Sequence, residues 1–175
     1  MRKPFILLLL LAVTFLSMLP CGAADVDPIL VYAPNEKVIG CKNDIFLELT
    51  QNPTLSKVAS GRTAKNYFIY FTAEILFLPE TSWNGIDKNS FILTRTDAEG
   101  NVETYTLNYA VTMMANLKNG WHIFGDTYHF TDLRKTYLIF DVVPYAYDGW
   151  TFIFQPTERG AEKPYCKVEI PLKVQ

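Results

Sequence analysis

Most of the chain alternates apolar and polar residues with a period of two, the spacing that places successive side chains on opposite faces of a β-strand. In residues 167–174, KVEIPLKV, charged and aliphatic residues alternate. A longer strand is predicted over residues 67–78, which are rich in aromatic and β-branched side chains and end before Pro79. Its polar members Thr72 and Glu74 lie on one face of this strand.

Residues 91–107, FILTRTDAEGNVETYTL, predict a β-hairpin. Two Thr-rich runs flank residues 97–101, and Gly100 and Asn101 can take the positive φ that a short loop needs. Further strands are predicted at residues 29–32, 45–50, 136–143 and 150–155. About seven or eight short strands separated by turn residues predict an all-β fold, an immunoglobulin-like antiparallel β-sandwich.

Two interpretations remain for Tyr109–Lys118, YAVTMMANLK. Its Ala, Met and Leu residues, with Gly120 beyond them, would allow a short capped helix. Val111 and Thr112 would equally allow an extended segment. The expectation is a loop with one helical turn.

The first residues have the three-part pattern of a secretory signal peptide. Arg2 and Lys3 precede an apolar run over residues 5–19, and Gly22-Ala23-Ala24 supplies small residues for cleavage. The pattern predicts a signal peptide over residues 1–24 and one domain over residues 25–175. No later segment has the roughly 20 apolar residues of a transmembrane helix.

Cys21 offers an alternative, because a bacterial lipoprotein keeps a lipidated cysteine at the cleavage site. Small residues normally precede that cysteine, whereas Pro20 precedes it here. The sequence therefore favours a secreted or cell-envelope protein without a lipid on Cys21. Loss of Arg2 and Lys3 with the signal peptide changes the formal net charge from −2 to −4, which gives no electrostatic reason to expect nucleic-acid binding.

Cys41 and Cys166 remain after cleavage before Asp25. An even number of cysteines in an exported protein is typical of a disulfide. Cys41 has the parity of the apolar residues in the strand at 45–50, and Cys166 has that of the apolar residues in the closing strand, so both thiols point inward. The prediction is a structural Cys41–Cys166 disulfide, and two free buried thiols are the alternative.

No metal or cofactor site is predicted. His122, Asp126 and His129 lie close together in HIFGDTYH, but their spacing matches neither the H-E-x-x-H pattern nor a paired-cysteine zinc pattern. No G-x-S-x-G nucleophile motif occurs. The acidic residues considered for hydrolysis fall at positions expected for strand surfaces: Glu74, Glu103, Asp141 and Glu169.

Aromatic residues beside turns are the remaining candidates for ligand contact. Trp83 and Trp121 each adjoin an Asn-Gly pair, and the segment YAYDGW adjoins an Asp-Gly turn. Such rings can be exposed and contact a sugar or a protein partner, or they can pack over the end of the core. For Trp150 the period-two partners Phe152 and Phe154 favour the core.

The order of these segments resembles an immunoglobulin-like family of unknown function from exported bacterial proteins, which is similar in structure to the mycobacterial immunoprotective secreted antigen. That family has a hairpin of the type F-x-L-x-D-x-dG and a late strand of the type l-x-F-d-V-P. FILTRTDAEG at residues 91–100 and LIFDVVP at residues 138–144 stand at the matching places. The resemblance covers residues 45–174, implies the sandwich fold and brings no catalytic residues. The family's usual Pro-Gly turn before the late strand is replaced here by FTDLRKTY.

Three functions are compatible with these features. The favoured hypothesis is an exported non-enzymatic domain that contacts an unidentified protein or cell-envelope partner. The alternatives are a carbohydrate-binding module that uses Trp83 and Trp121 to contact a glycan, and a small hydrolase.

Processing is directly testable. We expect the exported chain to begin at or near Asp25 without lipid, because Pro20 obstructs cleavage before Cys21. Intact-mass measurement of the exported protein checks this, and a diacylglycerol-modified Cys21 at the N-terminus would contradict it.

Overall fold

The computed structural model describes residues 30, 31, 33 and 35–175. The predicted signal peptide, Cys21 and the expected start of the domain at Asp25 lie outside the described residues. Two sheets of five strands each form a β-sandwich, which confirms the predicted fold class.

Ten strands and one α-helix follow each other along the described chain. The strands are β1 (Leu30–Val31), β2 (Val38–Cys41), β3 (Ile45–Leu49), β4 (Thr54–Ala59), β5 (Arg62–Phe77), β6 (Phe91–Thr96), β7 (Val102–Thr106), β8 (Asp132–Val142), β9 (Trp150–Phe154) and β10 (Val168–Leu172). The helix is α1 (Tyr109–Lys118), and a 3-10 turn covers Lys88–Ser90.

Sheet A has the strand order β1-β10-β9-β6-β7, and only the short pairing of β1 with β10 is parallel. Sheet B is built around the 16 residues of β5. On one side of β5, β3 pairs with its C-terminal half and β4 with its N-terminal half; β2 extends the sheet beyond β3. On the other side, β8 pairs along residues 67–77.

The structure contains β2 and β4 in addition to the predicted strands. β4 is joined to β5 by a tight turn in which Ser60 and Gly61 both have positive φ, at 48° and 76°. Gly adopts this backbone conformation without steric cost, so the Ser-Gly pair was the available signal for a hairpin here.

The period-two pattern decides which side chains enter the core. Along β5, Phe71, Ala73 and Ile75 are buried, whereas Thr72 and Glu74 lie on the outer face, as predicted. Burial of one face of each sheet fixes strand register, because a slip of one residue would expose all of these side chains.

Phenylalanine rings from the two sheets meet in the middle of the sandwich. Phe71 of β5 contacts Phe152 of β9 edge to face, with ring centroids 5.1 Å apart. Phe140 of β8 lies 6.1 Å from Phe71, and Phe91 of β6 lies 6.5 Å from Phe152. All four side chains are fully buried, and burial of each contributes roughly 1.5–3 kcal/mol.

The predicted disulfide is confirmed. Cys41, in β2 of sheet B, is bonded to Cys166, which lies two residues before β10 of sheet A, and their Cα atoms are 5.9 Å apart. Both residues are buried, in agreement with their inward parity. The bond links the two sheets across a sequence separation of 125 residues, for which the chain-entropy model gives about 4–5 kcal/mol.

The predicted hairpin is formed by β6 and β7, whose register pairs Thr94 with Thr104. Gly100 has the expected positive φ of 86°. Asn101 does not adopt a positive φ; its backbone N–H donates instead to the Asp97 carboxylate at 2.7 Å. This carboxylate also accepts from the Asn101 side chain, and the two hydrogen bonds lower the pKa of Asp97.

The expectation of a loop at Tyr109–Lys118 is wrong, because these residues form α1. Asn108 caps the helix by accepting a hydrogen bond from the backbone N–H of Val111 at 3.1 Å, and Gly120 ends it with a positive φ of 68°. The helical alternative depended on the capping residues, and a contact with β8 stabilises it further.

Helix α1 covers the free edge of β8. Asn116 accepts a hydrogen bond from the backbone N–H of Tyr137 at 2.7 Å and donates to its carbonyl at 3.2 Å. Thr112, one turn earlier, contacts both backbone groups of Ile139 at 3.3 and 3.4 Å. Both polar side chains are buried and replace the neighbouring strand that an edge lacks.

Replacement of Asn116 tests this role. We expect Asn116→Ala to lower the free energy of unfolding by about 1–3 kcal/mol, because the backbone N–H of Tyr137 would lose the Asn116 acceptor and its carbonyl would keep only the bond from Thr136. Urea denaturation measures the change, with the exposed Lys118→Ala on the same helix as the control. Equal stability of the two variants would show that α1 does not protect the β8 edge.

Candidate functional site

Trp83 lies in the core. Its side chain is 7% exposed and packs edge to face against Phe77, with ring centroids 5.1 Å apart, and against Tyr165 at 5.5 Å. Backbone hydrogen bonds of 3.0 and 2.9 Å pair Trp83 with Tyr128. Trp83 therefore closes the end of the sandwich that contains the disulfide.

Trp121 is half-buried beyond the end of α1. Its backbone N–H donates to the carbonyl of Asn116 at 2.9 Å, and its ring stacks on Tyr137 at 5.1 Å with an interplanar angle of 22°. This stacking occupies one face of the Trp121 ring. Trp121 thus lies on Tyr137 of β8, whereas Trp83 lies on Phe77 and Tyr165. Trp150 is buried in the core and donates its indole N–H to the carbonyl of Ala146 at 2.9 Å.

His129 and its neighbours form structural contacts. His129 Nδ1 lies 3.0 Å from the Ser82 hydroxyl, while the Asp132 carboxylate accepts the His129 backbone N–H at 3.0 Å and a bond from Arg134 at 2.9 Å. Asp132 thus holds the loop rather than the imidazole ring, and no carboxylate among the described residues is hydrogen-bonded to that ring in the way a Ser-His-Asp triad requires. Within the described part of the chain, no three His, Cys, Asp or Glu side chains are grouped as a metal site.

The acidic residues considered from the sequence each have a partner on the strand surface. Glu74 binds Lys135 at 2.6 Å, and Glu169 binds Lys167 at 3.0 Å. Asp141 accepts from the Asn108 side chain at 2.6 Å, and Glu103 from the Tyr105 hydroxyl at 2.6 Å. These four lie on four different strands, β5, β7, β8 and β10, and each is held by the partner named.

Tyr105 and Tyr128 are among the tyrosines whose pKa values are raised. Burial, reinforced by the hydrogen bond to Glu103, raises the pKa of Tyr105 to about 12. Burial also raises the pKa of Tyr128, whose hydroxyl donates to the carbonyl of Ile123 at 3.1 Å. Neither shift yields a group that ionises near neutral pH, as a general base requires.

An apolar patch occupies part of the outer face of sheet B. It consists of Val38, Phe46, Leu76 and Leu133, and register places Phe46, Leu76 and Leu133 in one row across β3, β5 and β8. Val38 and Leu133 are 53% and 55% exposed. The patch, together with Glu48 and Glu74, lines a shallow groove of about 430 Å³.

The apolar patch was missed in the sequence, although a signal for it exists. Phe46 lies between the buried residues Ile45 and Leu47, and Leu76 lies between Ile75 and Phe77. Continuous apolar runs in strands with a period of two make both faces of the sheet apolar. Such a run marks either a second buried face or a surface that meets a partner.

A tyrosine platform forms at the opposite end of the sandwich from the disulfide. It consists of Tyr67 at the N-terminal part of β5 and of Tyr145 and Tyr147 in the loop between β8 and β9. The hydroxyls of Tyr145 and Tyr147 are hydrogen-bonded at 2.5 Å, and the ring of Tyr145 lies 5.0 Å from that of Tyr67. The YAYDGW segment noted in the sequence thus supplies two of the three rings.

None of the described helices is both long enough and apolar enough to cross a bilayer.

Sequence comparison finds no matching protein-family profile and no matching curated protein. The architecture does recur among solved structures. The yjhA protein of Bacillus subtilis has a TM-score of 0.50 and 8% identity, and the match covers 82% of this chain and 100% of that protein. It shares the fold of this chain.

Two further matches have lower TM-scores. The secreted protein MPT63 of Mycobacterium tuberculosis, the antigen to which the sequence pattern pointed, matches with a TM-score of 0.46 and 11% identity over 83% of this chain and 98% of its own. An uncharacterized β-sandwich protein of Clostridium difficile matches with a TM-score of 0.42 and 12% identity over 86% of this chain and 98% of its own. The sandwich fold that the sequence resemblance implies is shared by the yjhA protein.

Asp132 gives a pH-dependent test of the His129 loop. The hydrogen bond from the His129 backbone, with the bond from Arg134, lowers the pKa of Asp132 in the folded state. Its contribution to stability is therefore complete above its unfolded pKa, about 3.9, and is lost as pH falls through the lower folded value.

We expect Asp132→Asn to be less stable than the parent at about pH 7, and the difference to shrink at about pH 2.5. Urea denaturation at both pH values measures it. Asp148→Asn, which changes an exposed loop carboxylate, is the control. A difference independent of pH would contradict the assignment.

Proposed function

We propose that this chain is an exported, non-enzymatic domain that acts by contact with a protein partner in the cell envelope or outside the cell. The observation that carries the proposal is the apolar patch of Val38, Phe46, Leu76 and Leu133. Helix α1 covers another part of the outer face of sheet B, around Phe68 and Ile139, whereas the apolar patch keeps Val38 and Leu133 more than half exposed.

The exposure of the apolar patch supports a partner that buries it. Val38 and Leu133 are more than half exposed, and the row through Phe46 and Leu76 is contiguous with them. Contiguous exposed apolar surface is uncommon on proteins that act alone, because its transfer out of water is favourable by about 25 cal/mol per Å². The residues lie on paired strands, so they form a fixed surface for docking.

Charge at the rim of the apolar patch specifies the partner further. Register places Glu48 beside Glu74, and Lys135 binds Glu74 at 2.6 Å. Among the described residues, no cation binds Glu48, which is exposed. A partner that presents apolar side chains next to a lysine or arginine would therefore complement the patch in both shape and charge.

Export is supported by the signal-peptide pattern and by the disulfide. Bonds of this kind persist in oxidising compartments and are rare in the cytosol. The non-enzymatic role is supported by the polar groups of the molecule, since His129 and the carboxylates named above hold loops, a helix cap and surface pairs.

Site-specific crosslinking tests the proposal. A photoreactive amino acid at Leu133, introduced in cells that export the chain, is expected to give a discrete adduct with one envelope or extracellular protein. The matched control is the same amino acid at Thr104, which is exposed on sheet A. The Leu133 adduct should be lost when Val38→Lys adds a positive charge to that of Lys135 beside the patch. An adduct that persists in this variant, or equal labelling from Thr104, would contradict the proposal.

A further inference from the structure

The tyrosine platform is a second exposed surface, and it shares no residue with the apolar patch. Tyr145 and Tyr147 are 60% and 47% exposed, and their rings meet edge to face at 5.3 Å with an interplanar angle of 77°. Tyr67 is tilted by 53° to Tyr145. The three rings therefore form a stepped aromatic surface.

Contacts below the tyrosine platform hold it in place. The ammonium group of Lys57 lies 4.1 Å from the centre of the Tyr67 ring. The carbonyl of Ala146, between the two loop tyrosines, accepts the indole N–H of the buried Trp150. Gly149 closes the loop where a Cβ atom would lie 2.2 Å from the carbonyl oxygen of Thr96. A surface fixed in this way loses little conformational entropy on binding.

Polar groups accompany the rings. The hydroxyls of Tyr145 and Tyr147 bond each other and retain further capacity to donate or accept, and Asp148 is exposed in the same loop. Tyr105, whose hydroxyl donates to Glu103, packs its ring on Trp150 at 5.5 Å, which brings this carboxylate to the same end of the sandwich.

We propose that the tyrosine platform binds a neutral carbohydrate. The C–H groups on one face of a pyranose ring carry partial positive charge and stack on the electron-rich face of an aromatic ring, while the sugar hydroxyls bond to phenols and carboxylates. Exposed rings with polar tips and adjacent carboxylates offer both kinds of contact. The glycan contact considered from the sequence is thereby assigned to tyrosines rather than to Trp83 and Trp121.

Charge distinguishes a sugar from an anionic membrane as the occupant. Two cations lie at this end among the described residues: Lys57 lies on the Tyr67 ring, and Arg95, which pairs in register with Glu103, lies 6.0 Å from the centre of the Trp150 ring. Asp148 is exposed and would repel phospholipid headgroups, whereas membrane surfaces attract clusters of basic residues. A neutral polyhydroxylated ligand meets no such repulsion.

Co-sedimentation with insoluble polysaccharides tests the assignment. The probes are three neutral insoluble polysaccharides, chitin, cellulose and curdlan, with phosphatidylglycerol vesicles as the competing surface. We expect the unmodified protein to bind at least one polysaccharide. The double variant Tyr145→Ala, Tyr147→Ala should bind the same polysaccharide with an affinity at least about tenfold lower. Tyr145→Phe with Tyr147→Phe retains the rings and should keep most of the binding.

Three matched measurements make the outcome decisive. Tyr109→Ala removes an exposed tyrosine from α1 and should leave sugar binding unchanged, and thermal unfolding should show that every variant is folded. Leu133→Lys alters only the apolar patch and should leave sugar binding unchanged. The two proposals can therefore fail independently of each other. Absence of binding to all three polysaccharides, equal binding by the double alanine variant, or binding to vesicles alone would overturn the assignment.

Discussion

The contact between the phenylalanine rings of the two sheets is the interaction on which the rest of the structure depends. Phe71 of β5 and Phe152 of β9 come from opposite layers and meet directly, and neither sheet could bury its inner face without the other. Strand register follows from this contact, because only one register directs the alternate side chains of each strand inward. The Cys41–Cys166 bond then joins the layers at one end and removes much of the freedom of the unfolded chain.

The core buries the inner face of sheet B but leaves its edge backbone groups without a neighbouring strand and its outer face uncovered. Helix α1 covers one edge, because Asn116 and Thr112 make hydrogen bonds to the β8 backbone in place of a further strand. The same helix packs over Phe68 and Ile139 on part of the outer face. The remainder of that face carries the apolar patch, and its exposure is the consequence of a helix too short to cover the whole sheet.

The two candidate binding surfaces are different in chemistry and in position. The apolar patch is flat, lies on paired strands and has an acidic rim, which suits the side chains of a protein. The tyrosine platform is stepped, lies on a loop at the end opposite the disulfide and combines aromatic rings with hydroxyls, which suits a sugar. A domain with both surfaces could connect an envelope polysaccharide to a protein, and each surface can be altered without the other.

The sequence by itself determined the sandwich, the faces of its main strands and the disulfide, because period-two patterning and cysteine parity are local properties that the core must obey. It did not determine α1, since the decisive hydrogen bonds of Asn116 join it to Tyr137, 21 positions later in the chain, at an edge of sheet B. Nor did it separate the buried Trp83 from the exposed Tyr145: both adjoin turns, and only the tertiary packing decides which ring the core accepts. Exposure of an aromatic side chain depends on the neighbours that the fold brings to it, and those neighbours are distant in the sequence.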